Sequence, residues 1–165
     1  MTRARPADWK NYDDFAVGIA TNRLPGSEAL VGKTLRLNLP GGVLTLQPSA
    51  RNQARWSEQG RRPGEGNDWY EAIELAPDTF FVDITFASRP TESLTLVLNL
   101  ASRRVLAVRS RIRSTEEAGA EPRVAQDFLP GTLGPDAQPA TGDVPAESRD
   151  LIGLRTFPTY SPNHT

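Results

Sequence analysis

The chain has 165 residues, with 19 Lys and Arg against 20 Asp and Glu; this suits one domain and offers no basic excess for nucleic acid or an anionic membrane. There is no Cys, and the single His is His164, next to the last residue, which excludes disulfides, thiolate ligands and cysteine nucleophiles and leaves nothing for an internal His-ligated metal or a Ser-His-Asp triad. No apolar run approaches the ~20 residues of a membrane-spanning helix, and Met1 to Pro6 does not resemble a secretion signal, so a cytoplasmic protein without metal or cofactor is expected.

Residues 1–14 read as a polar arm with Trp9 and Tyr12 as anchors, and Asp13-Asp14 suits the cap of a helical turn. Phe15 to Ala20 reads as a first extended segment, and Pro25-Gly26 marks a turn. From Lys33 the pattern sharpens. Leu35, Leu37 and Leu39 alternate with Thr34, Arg36 and Asn38, the period of a half-buried strand. Pro40-Gly41-Gly42 turns the chain and Val43 to Gln47 returns, which makes a hairpin. A weaker strand passes through Trp56, and the glycines and proline of Gly60 to Asn67 read as a loop. Trp69 to Leu75 with Thr79 to Phe86, and Ser93 to Leu100 with Arg104 to Ile112, form two more hairpins. Their connections are too short for parallel crossovers.

About eight up-and-down strands with one apolar face each must close on themselves or stack as two sheets. Closure removes exposed edges, so the expected fold is mostly β: a single antiparallel barrel over residues 15–113. Residues 114–165 are rich in Pro, Gly, Ala and acidic residues and read as a surface arm with Phe128-Leu129 as its apolar anchor. Near its end, Leu151-Ile152-Gly153-Leu154-Arg155-Thr156-Phe157 echoes Leu30-Val31-Gly32-Lys33-Thr34-Leu35. A strand-like tail of this kind could pair two copies of the chain into a homodimer.

Several segments together resemble the N-terminal domain of MoaF-type proteins. They are Phe15-Ala16-Val17-Gly18, Asn22-Arg23-Leu24-Pro25, Leu30-Val31-Gly32-Lys33, Trp69-Tyr70-Glu71-Ala72, Phe80-Phe81-Val82-Asp83, and the closing Asp150-Leu151-Ile152-Gly153 with Tyr160-Ser161-Pro162-Asn163-His164. The resemblance implies a lipocalin-like barrel, often one of a tandem pair. It also implies kinship with barrels that act as cofactor-free enzymes, beside an accessory role in molybdenum-cofactor biosynthesis.

In a barrel one strand face points to the lumen. Phe80, Val82, Ile84 and Phe86 share one face of their strand, and Phe81, Asp83 and Thr85 share the other. Asp83 in mid-strand is read either as a lumenal acid or base, or as a solvent-facing carboxylate. Glu71 shares its face with Trp69 and Ile73 and is the second candidate acid or base, with Arg36, Arg109 and Arg111 as candidate partners. Trp56, Trp69, Tyr70, Phe81, Arg36 and Arg109 are the candidate ligand-binding residues. Gly60 to Gly66 lacks the Lys-Ser/Thr ending of a phosphate loop. Three functions stay open: a cofactor-free lyase, isomerase or cyclase acting on an apolar or aromatic metabolite; a carrier of a small organic ligand; and a structural subunit whose barrel is filled by its own side chains.

Overall fold

A computed structural model describes residues 24–134, 145–146 and 148–154. The Phe15–Ala20 segment and the N-terminal arm lie outside the described residues. Eight strands follow in order: β1 (Leu35–Leu39), β2 (Gly42–Ala50), β3 (Gln53–Gly60), β4 (Gly64–Ala76), β5 (Thr79–Phe86), β6 (Arg89–Asn99), β7 (Arg104–Ile112) and β8 (Val124–Leu133). Each pairs antiparallel with the next, and β8 pairs with β1 to close the barrel. One helical turn, α1 (Thr115–Ala118), bridges β7 and β8. It starts on a capping box in which Ser114 Oγ accepts from the Glu117 amide and the Glu117 carboxylate accepts from the Ser114 amide. No helix among the described residues is long and apolar enough to cross a membrane.

Alternation drives the packing. Phe80, Val82, Ile84 and Phe86 of β5, Leu94, Leu96 and Leu98 of β6, and Leu44 and Leu46 of β2 are all buried in one core. Burying a side chain of this size contributes roughly 1.5–3 kcal/mol, so the register that turns this set inward is strongly preferred over a slip by one residue.

Two segments depart from the sequence expectation. The stretch expected to be a surface arm holds β8, whose mixture of apolar, polar, Pro and Gly residues gives little periodicity to read.

 Of its ten residues only Val124, Phe128, Leu129 and Leu133 are large and apolar. What places β8 in the wall is geometry. Gly131 lies where a Cβ would collide with the Asn38 carbonyl oxygen of β1, so glycine permits the approach that closes the barrel. The contact is short: β1 meets β8 only at Leu37↔Leu133 and Asn38↔Thr132. Pro130 falls where β8 has already lost β1 as a neighbour, a position that tolerates a missing donor.

The second departure is Gly60 to Asn67, expected as a loop. Gly64 to Asn67 is already β4, paired with β3 from Trp56↔Gly66 to Glu58↔Gly64. A Cβ on Gly66 would stand 2.8 Å from Trp56 Nε1, and one on Gly64 would stand 2.6 Å from Arg89 Nη2. These glycines leave the lumen to the side chains of other strands.

The two ends of the barrel differ. At the end where β1 begins, Ser27 N donates to Ala72 O on β4 and Gly32 N donates to Pro48 O on β2. The segment between them brings Leu30 into the core. The echo of this segment near residue 151 extends to backbone conformation. Val31 N donates to Glu28 O and Lys33 N to Leu30 O; Ile152 N donates to Arg149 O and Leu154 N to Leu151 O. Gly32 and Gly153 share a positive φ, 79° and 82°. The surroundings do not match: Leu30 is 0% exposed and Leu151 is 79% exposed. The continuation of the echo, residues 155–157, lies outside the described residues.

Candidate functional site at the charged mouth

At the opposite end, where the turns after β1, β3 and β5 gather, the inward face changes from apolar to charged. Glu58 follows Ala54 and Trp56 at even spacing on β3, Glu92 precedes Leu94 on β6, and Arg109 follows Val105 and Ala107 on β7. Arg109 is only 5% exposed. A charge so placed must be paired, and its Nη2 donates to Glu58 Oε1 at 2.6 Å. Arg89 Nη1 donates to Glu58 Oε2 at 3.0 Å, and Arg62 Nη1 donates to Glu92 Oε1 at 2.6 Å. Arg89 Nη1 and Arg109 Nη1 each lie 3.8 Å from Glu92 Oε2, beyond hydrogen-bond reach. Arg109 Nη1 and Glu92 Oε2 therefore have no hydrogen-bond partner among the described residues.

Trp56 forms the floor of this network. Its Nε1 donates to Asp68 Oδ2 at 2.7 Å, and its ring meets Phe86 edge-on at 4.7 Å between centroids. The Arg89 guanidinium lies 5.1 Å from the Trp56 ring centroid and 5.3 Å from that of Phe86, a cation–π arrangement over both. Beside the network, between the β1–β2 turn and β8, a pocket of about 150 Å³ opens. Leu39, Leu44 and Leu129 give it apolar walls, and Glu58, Arg61, Arg109 and Asp127 give it charge. Deeper along β4, Tyr70 is fully buried and its hydroxyl has no partner among the described residues. Burial pushes its pKa up to about 12, so the phenol is neutral near pH 7.

The structure sorts the sequence candidates. Trp56, Tyr70 and Arg109 point into the barrel, and Trp56 and Arg109 belong to the mouth. The lumenal reading of Glu71 and Asp83 is corrected. Tyr70 and Ala72 are buried on either side of Glu71, and Val82 and Ile84 on either side of Asp83, so the pleat turns both carboxylates to the outer wall. There they are cross-strand partners, and Asp83 Oδ1 accepts from Thr95 Oγ1 at 2.6 Å. Trp69 and Phe81 share that outer face; Trp69 is 40% exposed and lines a groove with Pro90 and Ile112. Arg36 lies at the other end of the barrel, in a groove with Arg103 and Leu133. Sequence reading missed Glu58, Arg61, Arg62, Arg89 and Glu92. Glu58 was findable, since it stands two residues after Trp56 on one strand face.

Comparison with known proteins agrees with this architecture. The MoaF N-terminal domain matches residues 7–114, a span that includes β1 to β7 and stops short of β8. A crystal structure from Burkholderia vietnamiensis, of a protein described provisionally as a beta-lactamase, superposes with a TM-score of 0.51 at 16% identity. The match covers 68% of this chain and 98% of that one; likeness at this identity concerns the fold alone. No curated protein matches the chain. Among the described residues no group of His, Cys, Asp or Glu could hold a metal ion.

Proposed function

Because this chain belongs to the MoaF family through the family's N-terminal domain, we propose that it is a small-molecule-binding barrel whose site is the charged mouth. One observation carries the reading: the guanidinium of Arg109 is buried, incompletely hydrogen-bonded, and part of the wall of an open pocket. Binding sites join apolar walls to a few placed polar groups, and the mouth has both. Fully buried side chains such as Trp56, Tyr70, Leu46 and Leu96 occupy the lumen behind it, which favours binding at the mouth over binding at the barrel's centre.

A cofactor-free lyase, isomerase or cyclase is the second reading. It loses Glu71 and Asp83 as lumenal groups, and its support is Tyr70, a neutral buried donor without a partner among the described residues. An accessory role in molybdenum-cofactor biosynthesis is compatible with the family. Pairing of two copies through the C-terminal segment belongs to the proposal as well, supported by the exposure of Leu151, Ile152 and Leu154.

The test is a thermal-shift screen of the chain and of Leu129→Trp, which narrows the mouth pocket, against aromatic acids, polyketide-like and terpenoid compounds, and pterins. Binding to the native state raises the melting temperature by mass action. A compound class that stabilises the parent chain and not Leu129→Trp is the expected result. No shift with any class, or equal shifts in both proteins, overturns the reading.

A further inference from the structure

Resting on the mouth as the binding site, we infer that its ligand is a small organic monocarboxylate with a compact apolar body. Charge balance gives the sign. The lining of the pocket itself carries Arg61, Arg62 and Arg109 against Glu58 and Asp127, which gives its wall one positive charge in excess. That excess does not come from the whole chain, whose formal net charge is -1. A monoanion restores neutrality there, whereas a cation adds to the excess.

Hydrogen bonding gives the place. Arg109 is part of the pocket wall; its Nη2 donates to Glu58, and its buried Nη1, 3.8 Å from Glu92 Oε2, makes no hydrogen bond among the described residues. Arg61 makes no side-chain hydrogen bond or ion pair among the described residues, and its side chain packs across the turn at Gly41, on the pocket's lip. Two guanidinium groups on one small pocket suit a carboxylate, because charge-assisted bonds from arginine are directional and strong.

Size and wall chemistry give the body. A cavity of about 150 Å³ holds a molecule the size of benzene, well below the volume of a drug-sized site. The leucines at positions 39, 44 and 129 are the apolar surface available to it. Acetate fills too little of this space, and a neutral alcohol of the right size leaves the arginines unanswered.

Benzoate, acetate and benzyl alcohol test the three arguments separately, by calorimetric titration into the intact chain. Benzoate is expected to bind at least about tenfold more tightly than either of the others, the factor that one charge-assisted contact or one buried ring supplies. Arg61→Gln, at an exposed position, is expected to fold normally and to weaken benzoate about three- to tenfold without affecting benzyl alcohol. Equal binding of benzoate and benzyl alcohol, or no effect of Arg61→Gln, overturns the carboxylate assignment. If benzoate fails while a neutral compound binds the parent chain and not Leu129→Trp, the ligand class falls and the mouth stands. If no compound binds, both fall.

Discussion

The two ends of the barrel are built from the same alternating strands and reach opposite solutions. One end is closed by an aliphatic residue, Leu30, brought in by a turn that hydrogen-bonds to β2 and β4. The other places Glu58, Glu92, Arg89 and Arg109 over the indole of Trp56. Apolar burial at the first end is non-directional and favours stability. A buried ion network is weak evidence for stability, since desolvation opposes the attraction. The charged end is thus the one for which a function beyond folding has to be sought.

The sharpest way to test this contrast is to delete each end's central group. Leu30→Ala should cost about 2–5 kcal/mol in a urea unfolding experiment and leave ligand binding at the mouth unchanged in the folded protein. A loss below about 1 kcal/mol would mean that Leu30 does not close that end. Arg109→Met should cost about 3 kcal/mol, near the lower limit for breaking a buried pair, because Glu58 keeps Arg89 as a partner. It should also abolish the binding that Leu30→Ala preserves; a neutral outcome for both stability and binding would remove Arg109 from the site.

Between the ends, Tyr70→Phe should change stability near pH 7 by no more than about 1 kcal/mol, in either direction, since the hydroxyl has no partner to lose among the described residues. Its mark is at alkaline pH. Burial raises the folded-state pKa to about 12 from the ordinary 10.0 of a tyrosine, so the unfolded chain gives up this proton first. Stability is intact below pH 10 and falls as pH rises toward 12. Unfolding curves across that range should be flatter for Tyr70→Phe; equal slopes would contradict the burial of the phenol.

The smallest effect is expected from Leu151→Ala, within about 0.5 kcal/mol, as for other exposed positions. Set beside Leu30→Ala, it separates what the local sequence dictates from what the barrel adds. The two turns share their hydrogen bonds and their glycine φ, so the echo legible in the sequence is a backbone instruction. Burial of the leucine is a tertiary outcome that the same instruction does not contain.

This division runs through the whole molecule. The hairpins of β1–β2, β4–β5 and β6–β7 were legible because period-2 alternation and turn residues act locally. β8 was not, because Gly131 and Pro130 read locally as breakers and acquire their meaning only against β1. Gly64 and Gly66 misled for the same reason: they make room for Trp56 on the neighbouring β3 and for Arg89 of β6. In the candidate site, the inward faces of Trp56 and Arg109 followed the alternation of their strands. Glu71 and Asp83 were placed by chemical interest against the parity set by their buried neighbours, and parity prevailed. The hydrogen-bonded ion pairs of Glu58 and Glu92 join residues 30 to 51 positions apart, which no local pattern reveals.

The most direct measurement is an amide chemical-shift map of the chain with benzoate in excess. Perturbations centred on Gly41, Glu58, Arg109 and Leu129, with Leu30, Leu98 and Val105 unmoved, are the result expected if the charged mouth is the site. Perturbations centred on Leu35, Leu100 and Leu133 at the apolar end, or none at all, would contradict it.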